Sequence, residues 1–574
     1  MIGTLWRIAL TAVGAALLAG TAAAQVSSPP LKEVVREGVR DCGRAGRTLE
    51  VPIITWGADL VTIMGNGNKD RTANGSIFED MGLDLRLKRQ DDFVKQVEAY
   101  LSCSSPFLRA TAGMANLASD LTEADPRTNM VAIYQHSWSA GGDALVVKEG
   151  IARPADLRGK KIAVQRYGPH VDYALKILSD AGLSQGDVEL VWTEDLVGFA
   201  GSAPGALFAS RNDIAAAFVI IPDGLALTSG GTGGTGDEGS VRGAEILLST
   251  KSANRIIADQ YFVRQDFYNA NRGVVENFVQ GLLIAEEVTS EIMGFGAAGG
   301  RDYTDLIASG GKLLLDDQGA VEDTEGLWAD AETVGFSGNN RFYADAGFLR
   351  SFDRLNQEVQ RSLLDWGLLK STHVLAKANW DWAIFGGELS NADIAVVERF
   401  DTEAASEAIT RFQASGAIDN ETLFEFEINF EPNQTNFPVS LYQTSFEEVL
   451  ALASTYAGAV ISVEGHSDPL KYLRAVKDNE AEWKLRRLRT STRNLSLGRA
   501  QSVRNAIVEL AEGTSIVMDS SQFVTIGLGI DDPKTGQCGD LPCVPETEGQ
   551  WRSNMRVVFR VVSMEAEDNV FRPL

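Results

Sequence analysis

A carboxylate and a guanidinium near the C-terminal end have the types and the setting to bind a zwitterion. Asp468 ends the run Gly465-His466-Ser467-Asp468, which closes an apolar strand, and Arg499 lies in Leu495-Ser496-Leu497-Gly498-Arg499-Ala500, which reads as the opening of a helix. A molecule with an ammonium beside a carboxylate requires one anion and one cation at a fixed separation. Asp468 can face the ammonium. The Arg499 fork can hold the carboxylate through two parallel bonds, which lysine cannot imitate, and amides in the first turn of a helix favour the same anion. Singly, each residue reads more simply as a turn cap or a surface ion pair worth under about 1 kcal/mol. Together, one anion and one cation of these types could serve the two ends of such a molecule.

A second set of residues sits at the expected ends of strands nearer the N-terminus. The loops are Trp56-Gly57-Ala58-Asp59, Tyr134-Gln135-His136-Ser137-Trp138-Ser139 and Gln165-Arg166-Tyr167-Gly168-Pro169-His170. Trp56, Tyr134, Trp138 and Tyr167 can stack on a planar or apolar ligand, and Gln165 adds an amide. Amides at a helix start near Val171 can receive an anionic group. Asp59 either selects a cationic group or caps the following helix. Each aromatic also reads as filler near a strand end, and His136 and His170 read as hydrogen-bonded loop residues rather than catalysts.

These residues need a scaffold, and the hydrophobic pattern supplies one. Residues 31–44 have helical apolar spacing, 49–55 read as a strand, and strand, Gly-containing loop and helix then recur through 84–87, 91–101 and 130–135. Such alternation predicts an α/β unit built on a parallel sheet. At Asp156-Leu157-Arg158-Gly159-Lys160-Lys161-Ile162-Ala163-Val164-Gln165 the pattern restarts as if a second lobe began, with a helix over 171–181 and strands at 188–192 and 213–220. Residues 391–423 are polar and short-patterned and are expected to connect two domains, partly as helix. Beyond them come a strand at 424–430, a helix over 442–456 and the strand 460–464 that delivers Asp468.

Two resemblances follow from these segments. The pairing of the Asp468 and Arg499 motifs resembles the signature of the OmpA-like domain, which implies that the two residues, with Asn554 and Arg556, grip the diaminopimelate of peptidoglycan. The chain departs from that pattern at Thr492, where the family has asparagine, at Met555, which interrupts consecutive arginines, and in an insertion over 470–490. The segment 156–165 resembles lobe II of periplasmic solute-binding proteins of the nitrate, sulfonate and thiamine-precursor type, with 213–220 and the re-entering Tyr261-Phe262-Val263 in support. The implied fold is α/β: a two-lobed type II periplasmic-binding-protein fold plus a C-terminal α/β OmpA-like domain. Its expected parts are a signal peptide at 1–24, the solute-binding domain at 25–395 with lobe II at about 146–254, a linker at 396–423, and the peptidoglycan-binding domain at 424–574. The implied partners are peptidoglycan, a small-molecule solute and an ABC permease.

Composition narrows the function classes. Residues 1–24 carry only Arg7, an apolar stretch and Ala22-Ala23-Ala24, the layout of a cleaved secretory signal. No later stretch is apolar for long enough to span a bilayer, so the expected location is the periplasm, at the cell wall. The net charge of -26 argues against general nucleic-acid binding. Residues 471–504 reverse that sign, with ten basic residues against three acidic. Contact with the anionic wall or with the protein's own acidic lobe is one reading, and a solvated helix extension is the other. Four cysteines in an exported chain predict the disulfides Cys42–Cys103 and Cys538–Cys543. The four histidines show no ligand spacing beside them, so no metal is expected. Gly231, Gly233 and Gly236 satisfy G-x-G-x-x-G without the strand and helix that a dinucleotide site requires, and read as a loop. No catalytic motif or cofactor signature appears, so a binding protein rather than an enzyme is expected.

Overall fold

The computed structural model describes the chain except residues 1–26, 44–45, 47, 198–201, 238, 388, 390–398, 433–439, 441, 515, 517, 536, 539–540, 543–546, 565–566, 568–569 and 572–574, with no side chain placed from 536 to 546. The expected signal peptide and the Cys538–Cys543 bridge fall outside the described residues. Cys42 and Cys103 are bonded to each other.

The first lobe opens with β1 (Leu49–Ile53), β2 (Leu85–Arg89), β3 (Phe107–Thr111) and the long β4 (Met130–Ser139). The chain then crosses through Ala140-Gly141-Gly142 into a second lobe made of β5 (Asp143–Val147), β6 (Lys161–Gln165), β7 (Glu189–Thr193), β8 (Ile214–Ile220) and β9 (Glu245–Ser249). It returns as β10 (Ala258–Arg264), followed by the short β11 (Ala331–Thr333) and β12 (Ala376–Lys377). In the second lobe the strand order is β7-β6-β8-β5-β9. Only the β6–β7 and β6–β8 pairs are parallel there. In the first lobe β10 runs antiparallel between β3 and β4. The expected parallel sheets are therefore mixed, because a strand returning from the other lobe enters its sheet from the opposite direction. Buried parallel and antiparallel strands share one hydrophobic pattern, so the alternation did not distinguish them.

The two crossovers are tied by one hydroxyl. Thr250 Oγ1 accepts the Gly141 and Asp143 amides at 3.0 and 3.1 Å and lies 2.8 Å from Ser139 Oγ. The N-terminal segment is helical only over Leu31–Val34, shorter than the expected 31–44, since Val35 already has an extended backbone. Val34, Val35 and Val39 instead lie along the core as a strap, and Cys42–Cys103 fastens its end.

The last unit is a sheet of β13 (Thr422–Asn429), β14 (Val460–His466), β15 (Phe523–Gly529) and, after the small ribbon β16 (Gln537–Cys538) and β17 (Leu541–Pro542), β18 (Arg556–Val562). Its order is β13-β18-β14-β15, with β14 and β15 parallel. Helices Gln443–Thr455 and Glu482–Gly513 cover one face. Part of the expected linker covers the other. The helix Thr402–Ser415 buries Ala405, Ala408 and Ile409 against Val460, Val524 and Val562. That narrow stripe of small residues, spaced three and four apart, is what the polar composition of the segment concealed.

This unit does not hang free. Tyr456 is fully buried, packs on Phe424, and donates its hydroxyl to Asp180 of the second lobe at 2.8 Å. Amides of Gly458 and Arg255 cross the same junction to Ser252 and Thr455.

Candidate functional site

Between the lobes lies a cavity of about 1970 Å³. Its walls come from loops after β1 and β6, the crossover between β4 and β5, the segment before β11, and Asn420, Glu421, Leu423 and Ser563 of the last unit. Trp56 stands at the wall, its indole N–H given to Ser137 at 2.9 Å. A Cβ on Gly142 would meet the Trp56 ring at 2.6 Å, so the crossover needs glycine where the ring packs. Gln165 and Tyr167 also line the cavity. Tyr167 holds a left-handed backbone, φ 59°, a conformation costing about 1–3 kcal/mol that persists only where its surroundings enforce it. Its hydroxyl contacts the Pro29 carbonyl of the strap.

Four expected ligand residues are elsewhere. Tyr134 and Trp138 lie within β4, not on a loop, and are buried. Both faces of that strand are covered, which alternation in one sequence cannot reveal. Trp138 packs edge-on against Phe342. His170 is fully buried and holds Asp143 at 2.6 Å. Asp59 is also fully buried and, 3.0 Å from Arg109, forms a charge cluster in which Arg109 also contacts Asp259. Burial raises the carboxyls of both Asp59 and Asp259.

Sequence reading missed Asp143, Asp259 and Asp330, which line the cavity. No motif marks them, and they meet only because β5, β10 and the β11 approach converge. Asp330 is pushed up to about 6, first by burial and then by the charge of Asp143, with Lys251 opposing. The helix His170–Asp180, whose first amides were expected to receive an anion, carries the buried Asp172 in its first turn. That carboxylate lies against Gly113 at the start of the neighbouring helix, and burial raises it to about 7.

With this geometry in view, the comparisons with known proteins bear on the first two lobes. Residues 76–289 match the NMT1/THI5 like family model. No curated protein sequence matches the chain. Among solved structures, the chain is similar to the alkanesulfonate-binding protein SsuA from Xanthomonas axonopodis pv. citri bound to MOPS, at 14% identity over 58% of this chain and 99% of that one, TM-score 0.39. The aliphatic sulphonate binding protein SsuA from Escherichia coli aligns at 13% identity over 57% and 95%, TM-score 0.41. The nitrate-binding protein NrtA from Synechocystis PCC 6803 aligns at 13% over 59% and 85%, TM-score 0.38. The NMT1/THI5-like region takes in β2 to β10 and stops well short of β13.

The second site lies at the end of β14. Asp468 Oδ1 accepts the Leu470 amide at 2.9 Å, and Oδ2 accepts Asn554 Nδ2 at 3.3 Å. Asn554 is fully buried and is fixed by Thr535 on both sides of its amide. Burial raises the Asp468 carboxyl. Arg499 is 1% exposed and donates to the His466 carbonyl at 3.1 Å, with Phe430 under its guanidinium at 5.4 Å. Burial lowers it to about 10. The expected first-turn position is corrected: the helix runs unbroken over Glu482–Gly513, so Arg499 sits in its interior and no free amides of that helix are near. Arg556 turns to Asp532 at 3.1 Å rather than to Asp468. The basic segment forms the helix Leu470–Lys477 and the exposed start of the long helix, with local ion pairs such as Lys484–Glu480 at 2.6 Å. No helix among the described residues is long and apolar enough to cross a membrane.

Proposed function

We propose that this chain is an exported, periplasmic solute-binding protein. It captures a small molecule between its lobes, for an ABC importer or for sensing, and is held at peptidoglycan by its C-terminal unit. The cavity enclosed by two lobes and spanned by two adjacent crossovers carries this reading, because closure about such a crossing can bury a ligand. The NMT1/THI5-like match and the resemblance of residues 156–165 to solute-binding proteins support it. Binding rather than catalysis is proposed. A metabolite panel screened by thermal shift tests the reading: a bound solute raises the melting temperature by mass action, and a panel without any shift removes it.

Wall anchoring rests on the strand-end site, which we read as OmpA-like. Asp468, oriented by Asn554, would take the ammonium of diaminopimelate, and Arg499 its carboxylate. Asp468→Asn and Arg499→Lys are expected to abolish co-sedimentation with purified sacculi while circular dichroism stays unchanged. Sedimentation equal to the parent in both variants discards the anchor.

The second reading is a wall-held scaffold or sensor whose two-lobed part binds a protein partner. It is favoured by the docking of the C-terminal unit on the second lobe, which limits free shuttling to a transporter.

A further inference from the structure

The wall of the interlobe cavity is acidic out of proportion to its size. Among the described residues lining it, eleven are Asp or Glu and two, Arg166 and Lys251, are basic. Arg166 is already spent on Glu194 at 2.9 Å and on the Ser27 carbonyl of the strap. Lys251 faces Asp330.

Beneath the wall the imbalance continues. Arg109 is shared between Asp59 and Asp259, two carboxylates for one guanidinium. Asp259 lines the cavity at 3% exposure. Ser137 stands near enough to favour its charged form, yet Oδ2 carries no full hydrogen bond among the described residues. A buried carboxylate oxygen in that condition costs about 1–3 kcal/mol or more and is relieved by a cationic donor.

An anion would meet the opposite situation. The starts of the helices His170–Asp180 and Ala112–Thr122, whose amides could have greeted one, already face a negative group of the protein itself, the buried Asp172, which lies against Gly113. The low-dielectric walls between two lobes magnify this preference, since unlike charges attract more strongly there than in water.

Resting on the solute-capture reading above, we infer that the cleft takes a small organic cation, an amine-bearing molecule, and not an anion. Trp56, which lines the cavity from the first lobe, can stack on its positive end or on its apolar body. A bare metal ion fits less well, because among the described residues no three His, Cys, Asp or Glu side chains come together as a metal site. Asp330 is the residue assigned to the ammonium, being half-buried, at the wall, and flanked by Asp143.

Isothermal titration of the full exported chain decides it, with putrescine, agmatine and choline as cations and nitrate and methanesulfonate as anions. At least one amine is expected to bind, and Asp330→Asn to weaken it tenfold or more with the fold intact by circular dichroism. Binding of an anion and of no amine overturns the inference and leaves solute capture standing. Absence of heat with all five probes overturns the cation assignment, and solute capture is then judged by the wider thermal-shift panel. Amine binding that Asp330→Asn leaves unchanged, and that high salt does not weaken, overturns the electrostatic basis.

Discussion

Asp330 keeps a proton at a pH where an ordinary aspartate has lost it, because burial and the neighbouring Asp143 oppose its charge while Lys251 only partly offsets them. Its folded pKa, about 6, lies above the ordinary aspartate value of 3.8. The native state therefore holds a proton that the unfolded state has released, and stability from this group is full below about pH 4 and falls as pH rises through 6. Asp172, raised to about 7 by burial, acts in the same direction. Urea midpoints are expected to fall between pH 5 and 8, and Asp172→Asn to flatten that slope; an unchanged slope removes the assignment. The reverse sign applies to an amine ligand, whose affinity should rise over the same range as Asp330 becomes charged. Buried Arg109 gives a sharper test. Arg109→Met leaves Asp59 and Asp259 facing each other without a cation, and should cost about 3–5 kcal/mol, the usual penalty for breaking a buried ion pair, read from chemical denaturation.

Among the elements, the β14–helix contact and the crossovers are most sensitive. Gly465 lets the long helix approach β14 so closely that a Cβ there would run into the Ser496 carbonyl, and at Gly527 one would meet the Arg493 carbonyl at 2.6 Å. Gly527→Ala is expected to destabilise by about 1–3 kcal/mol, as overpacking does, and to displace Arg499 with the helix, so sacculus binding should weaken in proportion. At the crossovers, Thr250→Val keeps the shape but strips the acceptor from the Gly141 and Asp143 amides. Two buried N–H groups left unpaired cost about 1–3 kcal/mol each. Faster amide exchange confined to residues 139–143 and 249–257 is the expected signature, and uniform exchange would show that the tie is not a hinge element.

For the whole molecule, the decisive feature is that the last unit packs onto the second lobe and contributes to the cavity wall. Tyr456→Ala removes a fully buried ring and its bond to Asp180, and should cost about 3–5 kcal/mol by analogy with large aromatic truncations. Limited proteolysis should then separate the two parts more readily than in the parent chain. The strap is fastened by Cys42–Cys103, which closes 61 residues. Loop-closure entropy assigns about 4 kcal/mol to such a bridge, so reduction should lower the melting temperature and loosen residues 27–43 first.

The sequence alone determined what depends on local chemistry. Period and breakers placed the strand 213–220 close to its bounds, the restart at 156–165 marked a strand that the structure puts inside the second lobe as β6, after β5 has already entered it, and Gly465 to Asp468 marked a strand end beside a turn. Trp56, Gln165 and Tyr167 reach the cavity because each directly follows or ends such a strand. What the tertiary structure decided is everything set by which surfaces meet. It sent Tyr134, Trp138 and His170 into cores, since a strand covered on both faces reads like one covered on a single face. It joined Asp143, Asp259 and Asp330 across nearly two hundred residues of chain, and it moved Arg499 from a helix start to a helix interior by letting the basic insertion continue the helix. Charge is additive along a sequence, but the field in a cleft depends on which charges face it, and only packing chooses those.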